Sequence, residues 1–111
     1  MSAIRLPKAG SVKIGEVLDC LNHYRLRATY KAVGKVVGCH WRQVGDLLGA
    51  PHPLTSWVVR KDTGLPSPEV FGDDEPLLRH PDLERSDHVI ERHEELLAYI
   101  TAHRIHPHHR H

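Results

Sequence analysis

The sequence predicts a mainly α domain, winged-helix-like in outline, with a helix-turn-helix at its centre and a minor strand element. Three observations carry that expectation. Apolar residues recur at helical spacing in four separate segments, each close to a residue suited to start or stop a helix. Two of those segments are separated only by the turn Gly38-Cys39-His40, the outline of a helix-turn-helix. The one β-prone run, Ser56-Trp57-Val58-Val59-Arg60, is short, follows the chain-breaking Pro51 and Pro53, and leads into Lys61-Asp62-Thr63-Gly64, which is turn chemistry. A strand, a tight turn and a small wing are expected there.

Taken in order, the first ten residues read as an arm broken by Pro7 and Gly10. Ser11 is the expected N-cap of a helix over about 12–25, whose face is Ile14, Val17, Leu18, Leu21 and Tyr24. Thr29 caps the second helix, with Tyr30, Val33, Val36 and Val37 on its apolar side, and Gly38 ends it in a left-handed conformation. Trp41, Val44, Leu47 and Leu48 mark the third, closed by Gly49. Val33, Val36, Val44 and Leu47 should be buried where these two helices face each other. Residues 65–85, with Pro66, Pro68, Pro76, Pro81, Gly72 and the cluster Asp73-Asp74-Glu75, read as irregular chain. The last helix is expected from Ser86 or Asp87, with Val89, Ile90, His93, Leu96, Leu97 and Ile100 on its face and Glu91, Glu94 and Glu95 off it. Residues 105–111 form a His-rich, low-complexity tail expected to be disordered, leaving 1–104 as one domain around a core motif at 28–64.

With 111 residues and 40% hydrophobic content, the chain has enough sequence for one core. It has no apolar run long enough for a bilayer and no signal-peptide pattern after Met1, so a cytoplasmic protein with no membrane partner is expected. Cys20 and Cys39 are not spaced as a zinc or redox pair and read as free thiols. Of eleven histidines, five lie at 103, 106, 108, 109 and 111, and His88 and His93 are five residues apart rather than the four of a helical metal pair. No metal and no cofactor are assigned. The net charge of +1 hides an asymmetry. Residues 1–61 carry ten Lys/Arg against three Asp/Glu, a balance of +7, whereas 62–111 carry five against eleven, a balance of −6. A basic half on helical segments is expected either of a nucleic-acid-facing surface or of a solvated charge pattern with no partner, and its placement on helices favours the first.

The stretch Ala28-Thr29-Tyr30-Lys31-Ala32-Val33-Gly34-Lys35-Val36-Val37-Gly38, followed by Trp41-Arg42-Gln43-Val44-Gly45-Asp46-Leu47-Leu48 and then Val58-Val59, resembles the DNA-binding half of the alkylguanine-DNA alkyltransferases and alkyltransferase-like proteins. The resemblance covers residues 28–64, about a third of the chain, and keeps the order of elements. It implies a recognition helix in the minor groove, with Arg42 entering the base stack in support of an extruded nucleotide and Tyr30 rotating the phosphate beside it. An arginine suits that task because its planar, permanently charged group stacks where a base has left. The family's Pro-Cys-His-Arg motif is absent: Leu54-Thr55-Ser56-Trp57 stands there, with Thr55 at the nucleophile position and no histidine after it. A threonine hydroxyl without an adjacent base does not attack an alkyl group, so no catalysis is expected.

The function expected is therefore non-catalytic binding of double-stranded DNA, with a preference for modified or distorted sites, in the setting of DNA repair. The site residues are Tyr30, Lys31, Lys35, Trp41, Arg42, Gln43 and Gly45. The competing expectations are a protein-interaction or regulatory module that keeps the helix-turn-helix as scaffold and binds a partner through the acidic C-terminal half, or an accessory subunit of a DNA-processing enzyme.

Overall fold

The computed structural model describes residues 8–67, 72 and 78–105. The chain forms α1 (Ile14–Tyr24), β1 (Arg27–Thr29), α2 (Tyr30–Val37), α3 (Trp41–Leu48), a 3-10 turn (Pro53–Trp57), β2 (Val58–Val59), a second 3-10 turn (Leu83–Arg85), β3 (Val89–Ile90) and α4 (His93–Ile105). This is a mainly α fold with minor strands. Ile105 closes α4; the rest of the His-rich tail, the first seven residues and the Asp73-Asp74-Glu75 cluster lie outside the described residues.

The helix-turn-helix forms for the local reasons its sequence implies. Thr29 caps α2 by accepting the Ala32 N–H at 3.2 Å on its hydroxyl, which satisfies a donor the helix itself cannot. Gly38 ends α2 at φ +89°. A Cβ at Gly38 would also stand 2.9 Å from the Gly10 carbonyl oxygen, because the arm before α1 packs on this turn and donates the Gly10 N–H to the Val36 carbonyl at 2.9 Å. The two helices approach closely at Gly34, where a Cβ would meet the Cys39 carbonyl oxygen at 2.7 Å and the Trp41 nitrogen at 3.3 Å. Val33, Val36 and Val44 are fully buried in this contact.

Leu47 is not buried. It is 46% exposed and Trp41 is 47% exposed. The short α3 turns Val44 and Leu48, one turn apart, toward the core, and Leu47 lies about 100° around the helix from Leu48. The Trp41 backbone is close to α2, its Cα 3.4 Å from where a Cβ at Gly34 would stand.

The strands form a parallel sheet in the order β2-β1-β3, with Ala28 opposite Val58, Thr29 opposite Val59, Arg27 opposite Val89 and Ala28 opposite Ile90. This corrects the expectation for the last helix. Val89 and Ile90 fill the second edge of β1 instead of opening a helix, and α4 begins at His93, not at Ser86 or Asp87. Over so few residues, β-branched strand residues and a helical stripe give the same apolar pattern. The expected 56–60 strand shortens to Val58–Val59, both buried, behind the 3-10 turn, and it pairs in parallel with β1. The turn after it closes through the Gly64 N–H on the Arg60 carbonyl at 2.8 Å and the Arg60 N–H on the Leu65 carbonyl at 2.9 Å. Ser11 is not the cap of α1 either. Its hydroxyl donates to the Lys8 carbonyl at 2.6 Å, and Lys13 precedes the helix without a side-chain cap.

One core joins these pieces. Trp57, Leu21, Leu83, Ile90, Leu96 and Ile100 are fully buried, and the Trp57 indole N–H reaches the Asn22 Oδ1 on α1 at 3.2 Å. Arg27 donates to the Gly64 carbonyl at 2.9 Å and to the Ser86 carbonyl at 2.7 Å, tying the chain after β2 to the chain before β3. Among the described residues, no helix is long and apolar enough to cross a membrane.

Candidate nucleic-acid interface

In a parallel sheet all C-terminal strand ends point to one edge. Here Tyr30 follows β1, Arg60 follows β2 and Glu91 follows β3, so three distant segments converge at that edge. They line an open cleft of about 1140 Å³ together with α3.

Six of the seven residues singled out from the sequence line this cleft: Tyr30, Lys31 and Lys35 from α2, and Trp41, Arg42 and Gly45 from α3. Tyr30 is half-buried at the first position of α2, whereas Lys31 and Lys35, one turn apart, are exposed. Arg42 lies over the Trp41 ring with its guanidinium carbon 5.1 Å from the ring centroid, a cation–π contact worth about 0.5–1 kcal/mol at an exposed position. The His40 ring also lies against Trp41, at 5.4 Å between centroids. Gln43 does not line the cleft. Its Oε1 accepts the His40 N–H at 3.0 Å while His40 Nδ1 accepts the Arg42 N–H at 3.2 Å, a reciprocal cap that fixes the start of α3 and so the direction of Arg42.

The remaining lining was not legible in the sequence. Arg60, Lys61 and Asp62 come from the exit of β2, and Glu91, Arg92, His93 and Glu94 from the junction of β3 and α4. Arg60 pairs with Asp62 at 2.7 Å, Lys61 with Glu91 at 3.7 Å, and Arg92 and His93 approach Glu94 at 3.7 and 3.3 Å. The Glu94 carboxyl is held below its ordinary range first by its own backbone N–H, then by His93, Arg92 and Lys35. Among the described residues, no carboxylate lies within ion-pair distance of Lys31, Lys35 or Arg42. The only signal that could have found the second wall is the parallel pairing of Val58–Val59 and Val89–Ile90 to one strand, which spacing alone does not reveal.

Thr55 is fully buried outside the cleft lining. Its hydroxyl donates to the His52 carbonyl at 2.9 Å and accepts the His52 N–H at 3.1 Å, so it works as a turn cap. Burial pushes the Cys20 thiol up to about 12, well above the range where a thiolate forms. Among the described residues, no group of three His, Cys, Asp or Glu is arranged to hold a metal. Comparison with family models, curated proteins and solved structures finds no match to this chain.

Proposed function

We propose that this chain binds double-stranded DNA without chemistry, through the cleft at the C-terminal edge of its parallel sheet. The observation that carries the reading is the convergence of Tyr30, Lys31, Lys35, Trp41 and Arg42 on one open cleft, where the three cations have no carboxylate partner among the described residues. Lys31 and Lys35 act on phosphate, which dominates affinity but reads no sequence. Arg42, stacked on Trp41, offers a flat charged surface suited to a base step that is open or distorted. The resemblance of residues 28–64 to the alkyltransferase-like proteins supports the same roles for Arg42 and Tyr30. It also supports a setting in DNA repair. Thr55, buried and used as a cap, supports binding without alkyl transfer.

Fluorescence-anisotropy titration of labelled duplexes, intact and containing a mismatch or modified guanine, tests the reading. Binding should be present at low salt, weaken as salt rises, and be tightest on the distorted duplex. Absence of binding to every duplex at low salt contradicts it.

A second reading draws on one specific observation: Asp62, Glu91 and Glu94 line the same cleft as the cations. A cleft with both signs of charge also suits a protein segment carrying mixed charges. Under that reading duplex DNA does not bind, and the chain serves as an interaction module or as an accessory subunit of a DNA-processing enzyme.

A further inference from the structure

A surface made for phosphate is strengthened by cations and weakened by carboxylates, yet Glu91 and Glu94 stand in the cleft lining. Their position is fixed by the fold. Glu91 leaves the sheet edge directly after β3, and α4 packs on α2, which carries Lys31 and Lys35. Lys61 reaches Glu91 at 3.7 Å, and Arg92 reaches Glu94 at 3.7 Å. Glu94 and Glu95 sit in the first turn of α4, where a negative charge favours the helix dipole. Glu91 precedes the helix by two residues, so the dipole does not account for it.

We propose that Glu91 and Glu94 form an acidic lip that pairs with Lys61 and Arg92 in place of phosphate, beside Lys31, Lys35 and Arg42, and sets the charge density a ligand must bring to displace it. The proposal rests on the reading of the cleft as a DNA-phosphate site. Duplex DNA carries about one charge per 1.7 Å of helix axis and so outcompetes two carboxylates across a cleft of this size. A ligand with a single phosphate does not. Glu91 and Glu94 are specificity-determining residues for the cleft: they weaken binding to all anions and most to weak ones.

The test is the affinity of the full chain for a short labelled duplex at low salt, comparing wild type with Glu91→Gln/Glu94→Gln. As a charge-matched control, Asp19→Asn/Asp87→Asn removes the same two charges at exposed positions outside the cleft lining. The lip variant should bind about two- to fivefold tighter per neutralised carboxylate, in line with the worth of exposed ion pairs, and the control should gain clearly less. Equal gains in the two variants, or no gain in the lip variant, overturn the lip. If wild type binds and Lys35→Gln weakens it while Glu91→Gln/Glu94→Gln changes nothing, the lip falls and the DNA reading stands. If neither wild type nor the lip variant binds at low salt, both fall.

Discussion

Arg42 and Trp41 make a cation–π pair in the cleft lining, and the chemistry of the pair sets what substitution should do. Arg42→Ala should lose on the order of 1–3 kcal/mol of binding, the range of a stacking contact with a base, and lose most on duplexes with an extruded or mismatched base. Arg42→Lys should recover little, because an ammonium has no planar face. Both variants should melt like wild type, since the residue is exposed. Equal loss on intact and distorted duplexes would show Arg42 acting only as a phosphate contact. A second expectation concerns reactivity. Incubation with an alkylated-guanine oligonucleotide should leave the protein mass unchanged, because the Thr55 hydroxyl is engaged by His52 and the Cys20 thiol is buried with its pKa pushed up to about 12. An alkyl adduct on Cys20 or Cys39 would contradict it.

The elements that build the cleft depend on one close helix approach, and two glycines separate cause from coincidence. Gly34→Ala pushes a Cβ to 2.7 Å from the Cys39 carbonyl oxygen, a backbone atom that cannot swing aside. It should cost about 1–3 kcal/mol, as overpacking does, and lower Tm by roughly 4–8 °C per kcal/mol in a domain of this size. Gly15→Ala, in α1 with nothing within 4 Å of the new Cβ, should instead gain about 0.5–1 kcal/mol from helix propensity. Thermal melts of the two variants decide the matter, and equal shifts would contradict the packing described for α2 and α3. The α2–turn–α3 unit was legible because its signals are local: Thr29 as a cap, Gly38 as a stop, and Val33, Val36 and Val44 on facing stripes. The sheet was not, because two-residue strands carry no periodicity, and Val89–Ile90 joined β1 through pairing with residues some sixty positions away. Leu47 misled for a related reason: helical spacing placed it on the apolar face, and the rotation of α3 about Val44 and Leu48 turned it outward.

Among the described residues of the whole molecule, cations of the basic first half and carboxylates of the acidic second half meet at the cleft. Parallel pairing causes this, because it brings the ends of β1, β2 and β3 to one edge and sets Lys31, Lys35 and Arg42 beside Lys61, Glu91 and Glu94. The candidate site was thus half legible. The wall made by α2 and α3 followed from contiguous sequence, while the wall made by the β2 exit and the start of α4 followed only from topology. Elsewhere the halves are joined by Glu16 of α1 and Arg104 of α4, whose contact at 2.7 Å holds the Glu16 carboxyl below its ordinary range. A carboxyl with a lowered folded pKa contributes stability above its unfolded pKa and loses it as pH falls through the folded value. Both partners are partly exposed, so Arg104→Ala should cost only about 0–1 kcal/mol at neutral pH, and that difference from wild type should vanish in acid. The central claim, that Lys31, Lys35 and Arg42 take DNA phosphate in the cleft, is tested most directly by the salt dependence of duplex affinity. Comparing wild type with Lys31→Gln/Lys35→Gln, the plot of log affinity against log salt should become shallower by about 0.9 for each phosphate the variant no longer neutralises. The same affinity and the same slope in both proteins, each fully folded, would contradict it.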